Sequence, residues 1–243
     1  FTKFIMEKSI IACDSLIVDS YFAKKEIIDL MKIKDDKVSV IYLGIDQKYL
    51  SPEKNDYYLD NFDYKNYIIS VLSCVKYHNI INLLKAFKLF KEGNKNNLKL
   101  VFVLQILDKK YFSEIKKFID KNFFQNEIIF LYNLDNKYLV NLYKNANLFI
   151  FSSYCEVFGL TSLEAMTQNC PIAISNRSAL PEINGDAVNY FDPDSIIEIN
   201  ESIKILTMNK DYTKNLILKA NSHFKKFAWS KTVKETCRVL EIK

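Results

Sequence analysis

The sequence is poor in the residues that break chains. Four glycines and four prolines in 243 residues exclude a fibrous repeat and a Gly-rich all-β fold. The five cysteines (Cys13, Cys74, Cys155, Cys170, Cys237) are odd in number and never form a C-x-x-C pair. That pattern fits reduced thiols in a cytoplasm, not a disulfide framework or a zinc site. No apolar run reaches the roughly 18 residues that span a bilayer, and no signal-peptide pattern opens the chain. There is no G-x-G-x-x-G and no P-loop lysine, which argues against dinucleotide redox and P-loop chemistry. Ser152-Ser153 with the two histidines, His78 and His223, makes no hydrolase elbow. No His/Cys cluster suggests a metal, and none is expected.

What is present is a globular composition. Hydrophobic residues make up 49% of the chain, too many for disorder. The net charge of +5, from 34 basic and 29 acidic residues, is mild and mixed in sign. A nucleic-acid partner is therefore not expected, because such binders carry a dense basic face. The short basic runs (Lys24-Lys25, Lys109-Lys110, Lys116-Lys117, Lys225-Lys226) fall on the polar sides of helical patterns and read as solvated faces. The other reading of this charge is attraction to an anionic membrane surface or ligand.

Short apolar, β-rich runs alternate with helical periodicity. Strands are predicted at Ser15–Val18, Lys37–Tyr42, Tyr67–Leu72, Leu98–Leu104, Glu127–Tyr132, Leu148–Ser152, Pro171–Ser175 and Ala187–Tyr190. Helices are predicted at Ser20–Met31, capped by Ser20, and at Ile80–Phe90, Lys110–Phe123, Asn136–Asn145 and Thr161–Gln168. A short helix is expected near Ala179, and the chain reads as helical from Asp194 onward. Strands apolar on both faces and separated by helices imply a parallel sheet covered on both sides. The fold class is α/β, a doubly wound, Rossmann-like parallel sheet flanked by helices. Such sheets bind ligands beyond the carboxyl ends of their strands.

One strand-to-helix junction carries chemistry. After Leu148–Ser152 comes Ser153-Tyr154-Cys155-Glu156-Val157-Phe158-Gly159-Leu160-Thr161-Ser162-Leu163-Glu164. Gly159 stands just before a helix, where unpaired N–H groups and the dipole accept phosphate or sugar oxygens. Thr161 or Ser162 can cap that helix or add a hydroxyl donor. Glu156 and Glu164 bracket the turn. A carboxylate repels phosphate but accepts from paired hydroxyls, as on a ribose or hexose. The junction thus reads as phosphate at a helix end with a polyol on either side, which is a nucleotide sugar. The plain alternative is a solvated Glu156 and a Glu164 that belongs to the cap. Asp192-Pro193-Asp194 formally spells D-x-D, but before a long helix it reads as a cap.

The string Glu156-Val-Phe-Gly-Leu-Thr-Ser-Leu-Glu164-Ala-Met resembles the E-x7-E motif of retaining, GT-B "group 1" glycosyltransferases (family 4). Cys170–Asn176, Ala179–Ala187 and Phe191–Asp194 resemble the segments that follow it in that family, and Val38–Asp46 its interdomain crossing. The resemblance implies that Glu164 bonds the donor ribose and that Glu156 holds hydroxyls of the transferred sugar as the catalytic carboxylate. It implies that Phe158, Gly159, Leu160 and Thr161 serve the sugar and diphosphate, and that Phe130–Asn133, with Asn133, lines the base pocket. It divides the chain into 1–50, the end of an acceptor-side N-terminal domain and the crossing; 51–65, a linker; 66–225, the sugar-nucleotide domain; and 226–243, a helix packing back.

The chain departs from the family at Val71–Asn79. The usual Gly, Arg and Lys of the diphosphate clamp are replaced by Leu72, Ser73 and His78. Ser73, Lys76 and His78 become the candidate diphosphate contacts, with Arg177 as a compensating cation. The chain begins at Phe1, and only the last elements of an N-terminal domain, roughly Phe1 to Tyr42, are matched. The expected partners are a UDP- or GDP-sugar donor and a polysaccharide or glycolipid acceptor, with no cofactor and no metal. A missing N-terminal half and peripheral contact with the inner membrane face, through aromatic C-terminal helices, complete the expectation. The alternative function is a nucleotide-sugar-binding module without turnover.

Overall fold

A computed structural model describes residues 2–51, 57–94, 96–122 and 124–241. The chain opens with α1 (Thr2–Ala12), β1 (Leu16–Val18), α2 (Tyr21–Met31) and β2 (Val38–Val40), and β1 pairs with β2 as a two-stranded parallel sheet. Ser20 caps α2 as expected, accepting from the Ala23 amide at 3.1 Å. A one-turn helix, α3 (Gln47–Leu50), follows the Leu43–Asp46 crossing.

Of the 51–65 stretch, residues 52–56 lie outside the described residues. The remainder packs. Tyr58, Phe62 and Tyr64 stack edge to face, Phe62 meets Tyr67, and the Asn141 side chain donates to the Tyr57 carbonyl.

The second unit runs β3 (Tyr67–Cys74), α4 (Ile80–Gly93), β4 (Lys99–Ile106), α5 (Lys109–Lys121), β5 (Ile128–Tyr132), α6 (Leu139–Asn145), β6 (Leu148–Phe151), α7 (Leu160–Thr167), β7 (Ile172–Ser175), α8 (Leu180–Asn184) and β8 (Asn189–Phe191). Its six strands are all parallel, in the order β5-β4-β3-β6-β7-β8. β6 and β7 are buried along their whole length, as a sheet covered on both faces demands. Ile68, Ile69, Phe102, Phe149 and Phe87 sit at the centre of the core, fully buried. Phe123, the expected end of α5, lies outside the described residues.

The terminal region is not one helix. It divides into α9 (Ile196–Met208), α10 (Lys210–His223) and α11 (Trp229–Val239). Asn209 ends α9 and caps α10, accepting from the Tyr212 amide at 3.0 Å. Residues 242–243 lie outside the described part. α11 returns to the first unit: the Thr232 hydroxyl donates to the Tyr42 carbonyl at 2.7 Å. A Cβ on Gly44 would lie 2.2 Å from the Trp229 nitrogen, so glycine is what admits this contact.

The strand order places a switch point between β3 and β6, where successive connections leave in opposite directions. Ligands of open α/β sheets bind there.

Candidate functional site

A cavity of about 680 Å³ opens at that switch point. Its walls come from the carboxyl ends of β3, β4 and β6, the 156–161 turn, and Asp19 and Leu43 of the first unit. Of the expected residues it brings together Ser73, His78, Asn133, Glu156, Phe158, Gly159, Leu160 and Thr161.

Each of these is placed for a reason. β3 delivers Ser73, and the next turn folds His78 back beneath it, so that His78 Nδ1 meets the Ser73 carbonyl. The Ser152 hydroxyl donates to the His78 carbonyl at 3.0 Å and the Tyr154 amide to the Tyr77 carbonyl at 2.8 Å, pinning the 76–78 turn to the end of β6. His78 Nε2 lies 3.0 Å from Glu156 Oε1. The buried ring therefore faces an acceptor at each nitrogen.

Glu156 is held by its backbone. Its amide donates to the Ser178 hydroxyl at 2.8 Å, and its carbonyl accepts from the Ala179 amide at 3.2 Å.

The Phe158 side chain is buried against Tyr42 and Phe227, so it is the Phe158 backbone that belongs to the turn. Gly159, with φ +92°, is the N-terminal flank of α7. A Cβ there would stand 2.7 Å from Leu180 Cδ2. Glycine is required by both conformation and space. The capping expectation needs correction. Neither Thr161 nor Ser162 caps α7; the Ser162 hydroxyl donates back to the Gly159 carbonyl at 2.8 Å. The Ser162 amide also donates to the Gly159 carbonyl, at 3.1 Å, so the amides that α7 can offer a ligand are those of Leu160 and Thr161 ahead of it.

Glu164 and Lys76 do not line the cavity. Lys76 is exposed. Glu164 sits one helical turn beyond Leu160, where its Oε2 accepts from the Tyr143 hydroxyl at 3.2 Å. Burial pushes its carboxyl up to about 7. Of the Phe130–Asn133 region, Asn133 reaches the cavity, while Phe130 stacks between Phe102 and Tyr132.

Arg177 points elsewhere, pairing with Asp192 at 3.0 Å and Asp194 at 3.4 Å. The D-x-D carboxylates are thus occupied by a guanidinium and by the Tyr154 hydroxyl, 2.6 Å from Asp194. The cap of α9 is Ser195, not either aspartate.

Sequence reasoning missed Asp19 and Gln105. Both stand at the carboxyl ends of strands, β1 and β4, where open α/β sheets bind their ligands, and that position is the signal that could have found them.

The model of the family "Glycosyl transferases group 1" matches residues 53–228, which hold the whole six-stranded unit and the 156–161 turn. The chain belongs to this family.

Among curated relatives of the group 1 chain is the O-antigen chain mannosyltransferase RfbU of Salmonella typhimurium, 23% identical over 84% of the chain and 54% of the relative. The O-antigen chain mannosyltransferase B of Escherichia coli is 22% identical over 98% of the chain and 63% of the relative. The chain therefore spans a little over half the length of these relatives. In fold it is similar to a glycosyltransferase from Rickettsia africae (TM-score 0.78, 18% identity, 93% of this chain and 62% of that one). It is also similar to Anabaena HepE, solved in complex with UDP and glucose (TM-score 0.79, 18% identity, 94% and 62%). Among the described residues no helix is long and apolar enough to cross a membrane.

Proposed function

We propose that this chain is the donor half of a retaining, metal-independent hexosyltransferase that moves a sugar from a UDP- or GDP-sugar to a polysaccharide or glycolipid acceptor. Mannose is the first sugar to test, given the relatives named above. The observation that carries the reading is one cavity holding both the free amide end of α7 and the Glu156 carboxylate.

The diphosphate sits at the Leu160 and Thr161 amides, where the helix end favours negative charge. Glu156 accepts hydroxyls of the sugar, which places that ring beside β3 and the 76–78 turn. His78, the basic side chain of the cavity wall, brings positive charge to the leaving diphosphate. Glu164, one turn deeper, takes the ribose hydroxyls by turning its free lone pairs toward the cavity past Leu160.

A second reading, nucleotide-sugar binding without turnover, is favoured by one observation. Arg177 is committed to Asp192 and Asp194, so it does not restore the charge lost at Ser73.

Calorimetry with UDP, GDP and ADP, then with the matching nucleotide sugars, tests the reading, with Glu156→Gln as a control. One nucleotide binding, and its sugar form losing affinity in the variant, supports donor binding. Silence at millimolar concentration rejects both readings. Release of nucleotide from the sugar form separates the enzyme from the binding module.

A further inference from the structure

A carboxylate outside the cavity ties the first unit to the second. Glu182, in α8, accepts from the Tyr21 amide at 2.7 Å, from the Phe22 amide at 2.9 Å, and from the Tyr42 hydroxyl at 2.9 Å. The two amides are the first of α2, the end at which a helix lacks internal partners and favours negative charge. A charged side chain of one unit thus finishes a helix of the other, across more than 130 residues of sequence.

Beside it, the fully buried Ser20 hydroxyl donates to the Val157 carbonyl at 2.6 Å while accepting from the Ala23 amide. Val157 belongs to the turn that walls the cavity. The residue just before Ser20 is Asp19, which lines the same cavity together with Glu156. Burial chiefly, with a contribution from the Glu182 charge, pushes the Asp19 carboxyl above the usual range.

We propose that Glu182 is a positioning residue: it clamps the N-terminus of α2 and so holds the Asp19 carboxylate on the cavity wall, where it accepts a hydroxyl of the acceptor sugar. The clamp stands on the hydrogen bonds alone. The role of Asp19 rests on the reading of the cavity as a donor site. Three features fit the assignment. Asp19 comes from the unit that does not carry the α7 turn, so it approaches the donor site from the other component. Its carboxylate suits a sugar hydroxyl and repels a diphosphate. Glu182 itself stays off the cavity wall, so its effect passes through α2.

The test has two arms. The first follows amide exchange at Tyr21 and Phe22 by NMR. In the native chain both amides exchange at least about tenfold more slowly than in Glu182→Ala, the effect of a hydrogen bond to a charged group. Tyr42→Phe leaves them protected, because it removes only the hydroxyl bond. Equal exchange in the native chain and Glu182→Ala overturns the clamp, whether or not any nucleotide binds.

The second arm measures transfer in the full chain, with methyl α-mannoside as the acceptor probe. Glu182→Ala and Asp19→Asn each raise the acceptor KM about tenfold while nucleotide affinity stays within about twofold. The double variant is no worse than either single one, because both act on one contact. Multiplied losses in the double variant, or a loss of nucleotide affinity matching the KM change, overturn the assignment to Asp19. Failure of every nucleotide to bind removes the donor-site reading and leaves the exchange result standing.

Discussion

Glu164 should make the stability of this chain fall, and its nucleotide affinity rise, over the same span of pH. Burial raises its carboxyl from an ordinary 4.5 to about 7, against the opposing bond from Tyr143 and the charge of Lys48. The sign follows from which form the fold prefers. The folded value lies above the unfolded one, so the fold favours the neutral acid. That contribution is fully present below 4.5 and is lost as the pH rises through about 7. At about 1.4 kcal/mol for each tenfold in proton affinity, the ionised carboxylate costs about 3 kcal/mol. For a chain of this size that corresponds to a change in Tm of about 6–12 °C.

Glu164→Gln keeps the shape and removes the ionisation. Its Tm should match the native chain near pH 4.5 and exceed it by that amount at pH 8.5. The carboxylate that destabilises the empty fold is the form that would accept the two ribose hydroxyls under the proposed donor reading. Nucleotide affinity of the native chain should therefore improve through pH 7, while Glu164→Gln binds weakly throughout. Thermal unfolding and calorimetry across the range read both trends. A Tm gap between the two proteins that stays constant with pH would falsify the buried-carboxylate account.

Three further perturbations address the other walls. His78→Ala should weaken a nucleoside diphosphate by about 1.5–3 kcal/mol, as for a lost charged contact, and leave the unphosphorylated nucleoside unchanged in calorimetry. Equal losses for both would place His78 away from the phosphates. Gly159→Ala forces a side chain onto a left-handed backbone and against Leu180, and should cost about 1–3 kcal/mol in denaturant unfolding. Full stability in that variant would contradict the geometry of the turn. Ser73→Arg adds a cation at the end of β3 while keeping the backbone carbonyl that anchors His78, and should speed release of nucleotide from the sugar donor by about tenfold or more. An unchanged rate would argue that the diphosphate does not lie there.

The fold was legible because burial writes itself into the residues. A short run such as Leu148-Phe-Ile-Phe151 reads as a strand covered on both faces, and six apolar strands alternating with helices point to one architecture. The cap at Ser20 and the glycine ahead of α7 were legible for a related reason, each solving a local backbone problem that few residue types solve, whereas the cap expected at Thr161 or Ser162 was not there. The packed aromatic cluster after residue 57 was less visible, because tyrosines among polar neighbours read as a tether until Phe62 and Tyr67 are seen to meet. The break between α9 and α10 hides in a single Asn209, whose side chain caps a helix that sequence periodicity runs straight through. In the site, the 156–161 turn came from a strand end and a helix start, and Ser73 and His78 from the family resemblance at Val71–Asn79. Lys76 did not join them, because the turn that folds His78 inward leaves its neighbour facing out. Asp19 stands at a strand end, a signal that was not followed, but what holds it in place, Glu182 and Val157, lies more than 130 residues away in sequence. Local sequence records local solutions, and a contact between units is not one.

The pairing of His78 with Glu156 changes what the altered clamp means. An arginine and a lysine act as separate long-reaching cations whose charge is independent of their neighbours. Histidine is short, and here it is fixed by the Ser73 carbonyl on one side and the Glu156 carboxylate on the other. That arrangement ties the ring to the very carboxylate proposed to hold the sugar. In the proposed function, the diphosphate contact and hydroxyl recognition would thus fall to one hydrogen-bonded pair. Glu156 keeps a second oxygen for the sugar, so the pair can serve both ends of the bond that breaks. Under that proposal such a site would pull less strongly on the diphosphate than two free cations, but would couple that pull to the presence of a correctly seated sugar. The replacement of Arg and Lys therefore reads as a redistribution of charge within the cavity, and the absence of a compensating Arg177 follows from it.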